Sequence, residues 1–291
     1  MVPGDRNLTV YRPRGLSTVL QMLRRDPSTP VVAGATYLTR ERLIGAIPGN
    51  KLISIHAVEE ITKITRSERF IDFGAAVTVR EILSLGAKVV DSPLVAALQS
   101  IGSPPVQSLA TIGGNLCAPD RTLTLAPVLQ LLEAQVEIRR QGNSRWIPVA
   151  RLREKEGSLA LEEGEIVTRV RVPLGNWDRT LFWQSGSPGN NDLDYHAVTA
   201  VARTEKRVVE EIRFVLAFGR SSVIRDRELE AEYVGRRLPL TSKEQTGLRR
   251  GIEELLYSGV ETPLPLQRFR AIRLIQRFMG YLGAADPTEK S

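Results

Sequence analysis

A short glycine-containing segment, Ala110 to Asn115, constrains this chain more than any other feature of its sequence. It reads Ala-Thr-Ile-Gly-Gly-Asn, so two adjacent glycines lie between a hydroxyl residue and an amide. Glycines permit backbone angles that other residues avoid and let a ligand approach the backbone closely. Free amide N–H groups in such a turn form an anion-binding concavity, and a helix-like run follows over 122–134. The segment predicts either a phosphate-binding loop in front of a helix or a tight structural turn.

A second segment of similar character lies upstream, at Val31 to Leu38. There an apolar, strand-like run ends in Ala-Gly-Ala-Thr, and a helix-like run begins after it. Together the two segments resemble the paired flavin-binding loops of the FAD-binding (medium) subunit of molybdenum hydroxylases, the xanthine dehydrogenase and carbon monoxide dehydrogenase family. The second loop of that family is matched here without change from Ala110 to Asn115.

The resemblance covers most of the chain and implies an α+β fold. It implies a two-subdomain FAD-binding domain of the vanillyl-alcohol-oxidase-like type, followed by a smaller α+β C-terminal domain. The expected FAD-binding domain spans 1–174, with subdomains of about 1–55 and 56–174. The expected C-terminal domain spans 175–286, and 287–291 is expected to be a frayed tail. Alternating strand and helix patterns in the first subdomain predict a β-α-β-α-β unit.

Residue patterns also predict the boundaries of individual elements. Ser17 is a candidate N-cap for the first helix. Pro104 and Pro105 are expected to break the helix that precedes them, because proline lacks the N–H that a helix interior needs. The composition of 175–191 shifts to Gly, Ser, Asn and Pro, which predicts a linker or an active-site loop. The pattern over 223–234 predicts a helix.

The resemblance implies that backbone amides of both loops hold the pyrophosphate of FAD, and that Thr111 offers its hydroxyl to a phosphate oxygen. The cofactor contacts implied across the chain are Ala33, Gly34, Ala35, Thr36, Tyr37, Leu38, Thr111, Gly113, Gly114, Asn115, Thr124, Ile166 and Gln184. Because the flavin carries out the redox chemistry, no side chain is expected to act as a catalytic acid or base.

Several positions depart from the family pattern. Ala35 replaces the usual second glycine of the first loop, and an alanine methyl strains a turn that needs a positive φ. Tyr37 replaces an aspartate, and Ala118 and Thr124 replace an asparagine and an aspartate of the second loop. These changes predict that FAD binds more weakly than is usual in the family. They also leave open a second interpretation, a structural subunit of the same fold that has lost or weakened FAD binding.

The C-terminal part departs from the family as well, and its aromatic residues have two interpretations. Gln184 stands where the family usually has a lysine. Trp183 and Tyr195 are candidates to stack near the isoalloxazine ring, or they are ordinary core residues. A third interpretation of the whole chain is a stand-alone flavin oxidase, but no linkage motif for covalent flavin is present and the chain is short.

Composition and charge narrow the range of functions. No run of 18 apolar residues exists among the 291, so no membrane span is expected. The N-terminus lacks the apolar core of a signal peptide, which predicts a cytoplasmic protein. The net charge of +7 comes from scattered arginines with acids nearby, which argues against a nucleic-acid partner. A single cysteine, Cys117, cannot hold an iron–sulfur cluster, and the two histidines, far apart in sequence, argue against a metal site.

The expected function is therefore electron transfer within a heteromeric complex. By resemblance, electrons begin at a molybdenum cofactor in a large partner subunit and pass through the clusters of a small two-iron–two-sulfur subunit. FAD in this chain then passes them to an acceptor such as NAD, a quinone or oxygen. The substrate, the acceptor and the oligomeric state cannot be read from this chain, because substrate specificity lies in the large subunit.

Overall fold

The computed structural model describes residues 8–43, 50–86, 88–118, 124–154, 157–186, 194–259 and 261–283. Both helices and strands are present, and the strands form three separate sheets of three, five and four strands. The mixed helix and strand content agrees with the α+β class expected from the sequence. Among the described residues, no helix has both the length and the apolar character needed to cross a bilayer.

The first sheet is parallel and has the strand order β1-β3-β2. Its elements are β1 (Thr9–Tyr11), α1 (Leu16–Arg25), β2 (Val31–Val32), α2 (Thr36–Leu43) and β3 (Lys51–Ser54). This confirms the predicted β-α-β-α-β unit. Helix α1 buries Leu16, Val19 and Leu23 against the sheet. It begins two residues earlier than predicted, with Gly15 and not Ser17 as the N-cap.

The second sheet is antiparallel, with the order β4-β5-β8-β6-β7. Its strands are β4 (Ile64–Arg66), β5 (Phe70–Gly74), β6 (Gln135–Arg140), β7 (Asn143–Pro148) and β8 (Ile166–Pro173). The helices between β5 and β6 are α3 (Val79–Ser84), α4 (Ser92–Gln99), α5 (Pro104–Gln107), α6 (Ile112–Leu116) and α7 (Leu125–Leu131). Buried residues of these helices, such as Ile82, Leu98 and Leu129, form one core with Phe73 and Val170 of the sheet.

The predicted break at Pro104 and Pro105 is confirmed, because α4 ends at Gln99 and these prolines begin a separate short helix, α5. Proline fits the first turn of a helix, where its missing N–H has no intrahelical partner. The expectation for the Gly113-Gly114 pair was wrong, since both glycines lie inside helix α6 and not in an open turn. The predicted helix over 122–134 is observed as α7 (Leu125–Leu131), and 119–123 lies outside the described residues.

The third sheet is antiparallel and has the order β12-β11-β10-β9. Its elements are β9 (Arg179–Ser185), β10 (His196–Glu205), β11 (Val208–Phe218), β12 (Ser222–Ile224), α8 (Arg227–Ala231), α9 (Ser242–Leu256) and α10 (Pro265–Leu282). Strand β9 lies inside the segment predicted to be a linker, and β12 occupies the start of the predicted helix over 223–234. Pairing with β10 and β11 outweighs the local composition of both segments.

Helix α7 joins the second and third sheets. It packs on β10 and β11, where Leu131 forms a small core with Val201 and Val215. Beyond its last residue, Glu133 lies near three arginines of the third sheet and its helices. The distances from Glu133 carboxylate oxygens are 3.6 Å to Arg213, 3.2 Å to Arg225 and 2.9 Å to Arg227. These ion pairs fix the C-terminal end of α7 against the third sheet.

Candidate functional site

The two glycine-containing segments lie on opposite sides of one cavity of about 320 Å³. All the cofactor contacts expected from the sequence line this cavity except Gly113 and Ile166. Those two residues line an adjoining cavity of about 330 Å³. The two cavities share a wall formed by Val31, Ala33, Gly114 and Cys117. The structure thus brings together residues from four separate parts of the sequence.

The first loop turns sharply between β2 and α2. Ala35 has a φ of 60°, which is the left-handed conformation that an alanine methyl disfavours. This confirms that the position needs a positive φ, although the sequence supplies alanine. The turn leaves the backbone amides of Ala35, Thr36 and Leu38 without a hydrogen-bond acceptor in the described part of the chain. Unpaired amides at the start of a helix attract an anion, because the partial positive charge of the helix lies there.

The sequence also predicted free backbone amides in the second loop, at Gly113, Gly114 and Asn115, but the structure differs. Their amides are not free to hold a ligand. Gly113 donates to the Ala75 carbonyl at 2.9 Å, Gly114 to the Thr111 hydroxyl at 3.1 Å, and Asn115 to the Thr111 carbonyl at 2.9 Å. Thr111 acts as the N-cap of α6, so its hydroxyl oxygen is already an acceptor. The hydroxyl proton of Thr111 can still be donated toward the cavity that this residue lines.

The second loop is also held in place from behind. The side-chain oxygen of Asn115 accepts the amide of Leu125 at 3.1 Å, which ties the loop to the first turn of α7. The guanidinium of Arg153 donates to the carbonyls of Leu116, at 3.1 Å, and of Ala118. Thr124, at the start of α7, is buried and makes no capping hydrogen bond with its side chain. The second loop is therefore a rigid wall of the cavity, while the first loop supplies the unpaired donors.

Gln184 of β9 reaches the cavity from the third sheet. Its side-chain nitrogen lies 3.5 Å from the carbonyl of Gly186, which orients the amide group. Its side-chain oxygen is buried and has no hydrogen-bond partner in the residues that the structure describes. A buried acceptor without a donor is costly, so this oxygen is suited to accept a hydrogen bond from a ligand.

Trp183 and Tyr195 do not line this cavity. Trp183 faces the opposite side of β9, where its ring centroid lies 4.7 Å from that of His196. Tyr195 is 2% exposed and packs between Ala197 and Ala217. Burial raises the pKa of the Tyr195 hydroxyl and lowers the pKa of His196. Their interpretation as core residues is the one that the geometry favours.

Cys117 lies in the wall between the two cavities, but its thiol is unreactive. Burial raises the pKa of its thiol to about 12, although the charge of Arg153 acts in the opposite direction. The thiol is therefore protonated at neutral pH, and only the thiolate is a good nucleophile or metal ligand. Within the described ranges, no group of three or more His, Cys, Asp or Glu residues is placed to hold a metal ion.

One part of the cavity wall could not be predicted from the sequence. Ser100, Ile101, Gly102 and Val106 line the cavity between helices α4 and α5. They carry no motif, and only the packing of these two helices brings them to the site. Hydrophobic spacing along a helix can indicate its buried face, but it cannot indicate which residues beyond the helix reach a cavity.

Several known proteins are similar to this chain in sequence. Residues 6–175 match the family model described as the FAD binding domain in molybdopterin dehydrogenase. The xanthine dehydrogenase FAD-binding subunit of Escherichia coli O157:H7 is 25% identical over 165 residues, 56% of this chain and 56% of that protein. Aldehyde oxidase 2 of Cavia porcellus is 26% identical over 215 residues, which cover 69% of this chain and 16% of that protein. The chain thus spans about half the length of one relative and about a sixth of the other.

The fold is shared with a solved structure over nearly its whole length. A chain of quinoline 2-oxidoreductase from Pseudomonas putida 86 superposes with a TM-score of 0.79 at 20% sequence identity. The superposition covers 97% of each chain. The match extends through the third sheet and its helices, beyond the residues that the family model covers.

Proposed function

The chain belongs to the family of FAD-binding domains of molybdopterin dehydrogenases, and from that premise we propose that it is the FAD-carrying electron-transfer subunit of a molybdenum hydroxylase. FAD is the cofactor of the family, and we propose that it binds in the two adjoining cavities. The observation that carries the proposal is the set of unpaired amides of Ala35, Thr36 and Leu38 beside the cavity that both loops line.

The residues around the cavities fit FAD in chemical character. The unpaired amides at the start of α2 suit a pyrophosphate, which needs several N–H donors. The proton of the Thr111 hydroxyl adds a donor from the facing loop. The unpaired oxygen of Gln184 suits an N–H group of a planar ring. The adjoining cavity, with apolar residues such as Ile55, Ile166 and Val167 in its wall, suits the second ring system of a dinucleotide.

The mechanism that follows assigns binding and positioning to this chain. When bound, FAD supplies the redox chemistry, accepting and passing on electrons. The first loop would hold the pyrophosphate by main-chain donors. The second loop, fixed by Arg153 and by the bond from Leu125 to Asn115, would limit the depth of the cavity. The side-chain oxygen of Gln184 would accept a hydrogen bond from an N–H group of the ring and so orient the ring edge. No side chain of this chain needs to act as a general acid or base.

The partners are also part of the proposal. The single cysteine of these 291 residues cannot hold an iron–sulfur cluster, so a cluster that supplies electrons would lie outside them. We propose a small two-iron–two-sulfur subunit as the donor and a large molybdenum-cofactor subunit as the place where the substrate is oxidised. One relative is itself named as a FAD-binding subunit of xanthine dehydrogenase, which supports a multi-subunit arrangement.

The scaffold interpretation remains the competing proposal, and it is not favoured. It rests on Ala35, Tyr37, Ala118 and Thr124, and the internally bonded amides of the second loop add to it. The unpaired donors of the first loop argue against it, because a scaffold gains nothing from leaving N–H groups without acceptors beside a cavity.

Titration of the apo-protein with flavins tests the proposal. FAD should bind at one site per chain and quench or shift the flavin spectrum saturably. Riboflavin, which lacks the pyrophosphate, should bind at least about 100-fold more weakly, because each hydrogen bond to a charged group contributes about 1.5–3 kcal/mol. Absence of saturable FAD binding in the wild type, and also in the Ala35→Gly and Thr124→Asp variants, would leave the scaffold interpretation standing.

A further inference from the structure

A groove of about 640 Å³ runs between α9 and α10, on the face of the third sheet's helices that points to solvent. We call it the arginine–aromatic groove and define it by Tyr257, Arg268, Phe269, Ile272 and Arg273. Two of these residues are large aromatics that remain exposed, with 58% of Tyr257 and 61% of Phe269 accessible. Leu266, one turn before the groove, is also 55% exposed.

The most exposed apolar residues of this surface lie apart from the core. Helix α10 buries Ala271, Ile275, Phe278 and Met279 on its other face, where they pack with the third sheet. Its exposed face carries Leu266 and Phe269, while Ile272 is partly buried and packs against the core at the edge of the groove. Clustered exposed aromatic residues of this kind mark interaction sites on soluble proteins. Tyr, Phe and Arg are also enriched at the centres of protein interfaces.

The charge of the groove indicates what fits it. Helix α10 carries four arginines and no acidic residue. In the groove, Arg249 of α9 is neutralised by Glu253 at 3.0 Å, but Arg273 has no ion-pair acceptor among the residues described. Arg268 lies over the Tyr257 ring, 5.4 Å from its centroid, and donates to its hydroxyl.

Arg268 also carries a donor that has no partner. Its Nε is buried and makes no hydrogen bond within the described chain. This Nε is shielded from a docked side chain, but a guanidinium without an acidic partner still attracts a carboxylate to its terminal nitrogens. The groove thus combines apolar contact area with two arginines that await an acidic group.

We propose that the arginine–aromatic groove docks a segment of a partner protein in which a carboxylate lies next to an apolar side chain. This deepens the proposed function, since it rests on the chain working within a complex, and it assigns the contact surface. The apolar side chain would pack on Phe269 and Ile272, and the carboxylate would pair with Arg268 and Arg273. The charge complementarity selects an acidic partner over a second copy of this basic chain.

The native assembly provides the first test, by light scattering coupled to gel filtration at two salt concentrations. Phe269→Ala combined with Arg273→Glu should release the partner or weaken its binding at least about 100-fold, as expected for an aromatic anchor and a reversed charge. Tyr281→Ala combined with Arg277→Glu is the matched control, because both residues are exposed on the same helix outside the groove and contact each other. The control should assemble like the wild type.

A zero-length carbodiimide cross-link locates the contact. Arg273→Lys keeps the charge and places an amine in the groove, which should couple to an Asp or Glu of the partner and be found by mass spectrometry. Arg277→Lys should give no such product. A wild-type chain that elutes alone or only as a homo-oligomer overturns the proposal. So does assembly that the groove variant leaves intact, or binding to anionic phospholipid vesicles that the groove variant abolishes.

Flavin content measured on the same samples separates the two proposals. A groove variant that assembles like the wild type and retains FAD contradicts the groove proposal alone. A wild-type chain that retains FAD but has no partner contradicts both the groove proposal and the proposed partners, and leaves the flavin function standing. A chain that binds its partner through the groove but takes up no FAD contradicts the flavin function and leaves the groove proposal supported.

Discussion

Gly34 lies against the carbonyl group of Leu109, so closely that a Cβ at position 34 would stand 1.6 Å from the Leu109 oxygen. The first loop and the segment that leads into the second loop are thus in direct backbone contact, although they are far apart in the sequence. The contact sets the distance between the two walls of the cavity. Only glycine allows it, because every other residue carries a Cβ.

We expect Gly34→Ala to separate the two loops. The contacting atoms of Leu109 belong to the backbone, which cannot move aside as a flexible side chain can. The variant should therefore lose about 1–3 kcal/mol of folding free energy and bind FAD at least about 10-fold more weakly. Gly280→Ala is the control, because a Cβ there meets no atom within 4 Å and lies in helix α10. Differential scanning calorimetry and FAD titration would measure both effects, and a Gly34→Ala protein with wild-type affinity would contradict the assigned role.

The adjacent glycines of α6 should respond differently to the same substitution. A Cβ on Gly113 would meet Ala75 at 2.7 Å, at both its side chain and its carbonyl oxygen, so Gly113→Ala should destabilise the fold by about 1–3 kcal/mol. A Cβ on Gly114 meets only the Thr111 hydroxyl, at 2.8 Å. Gly114→Ala should displace this capping hydroxyl, at a cost of about 0.5–2 kcal/mol that the higher helix propensity of alanine offsets in part. The melting temperature should therefore fall less than in Gly113→Ala, while FAD binding weakens by about 10-fold. Equal melting temperatures and equal affinities for the two variants would contradict the distinction.

The sequence predicted where the two loops lie but not how they divide their tasks. Glycine spacing and the match at Ala110 to Asn115 pointed to both loops, and the structure places them around one cavity. The pattern cannot show hydrogen bonding, however, so the amides of Gly113 and Gly114 were expected to be free. They are engaged because α6 packs against Ala75 and is capped by Thr111.

Tertiary pairing explains the other differences. The composition of 175–191 favours a loop, yet Arg179–Ser185 pairs with β10 along its whole length. The hydrogen bonds of a long neighbouring strand outweigh the local propensity of a short segment. Gln184 was located only by resemblance, and its unpaired oxygen is visible only once the packing around it is known.

Ala35→Gly tests the strain of the first loop. The left-handed conformation costs an alanine about 1–2 kcal/mol of folding free energy, which glycine does not lose. Glycine in turn costs about 0.5–1 kcal/mol, because it gives the unfolded chain more conformational entropy. We expect a net stabilisation of up to about 1 kcal/mol and an FAD affinity equal to or higher than that of the wild type. Ala35→Val is the opposing variant, since a β-branched residue tolerates this φ poorly. It should lower both the melting temperature and the affinity.

Asp91 makes the stability of the chain depend on pH. Burial raises the pKa of its carboxyl to about 6, while a hydrogen bond from the Gly175 amide only partly opposes this, and one carboxylate oxygen has no partner among the described residues. The folded state therefore holds the proton more tightly than the unfolded state, whose pKa is about 3.9. Stability should fall as pH rises from about 4 to about 6 and should stay lower above that range.

Asp91→Asn should remove this dependence. After allowance for solvent screening of a partly exposed group, the variant should be more stable than the wild type by about 1–2 kcal/mol at pH 7. The difference should become small near pH 4, where the wild-type carboxyl is protonated in the folded state and about half protonated in the unfolded state. Urea unfolding at pH 4, 5, 6 and 7 would measure it, and a gain that does not vary with pH would rule out titration of Asp91 as the cause.

Glu133 connects the third sheet to the second loop through helix α7. Its carboxylate forms ion pairs with Arg213, Arg225 and Arg227 at the C-terminal end of the helix. At the other end, the side-chain oxygen of Asn115 accepts a hydrogen bond from the amide of Leu125. The φ of Glu133, 57°, is strained for a residue with a side chain. Removal of the carboxylate and relief of the strain are separable, because glycine removes both and alanine removes only the first.

We expect Glu133→Ala to cost about 1–3 kcal/mol of folding free energy, since the side chain of Arg225 is only 8% exposed and loses one of its two acidic partners. Glu133→Gly should cost about 1 kcal/mol less, because it adopts the positive φ without strain. If the ion pairs position the second loop through α7, both variants should weaken FAD binding to the same extent despite their different stabilities. FAD affinities that follow the order of stability would instead indicate a general loosening of the fold.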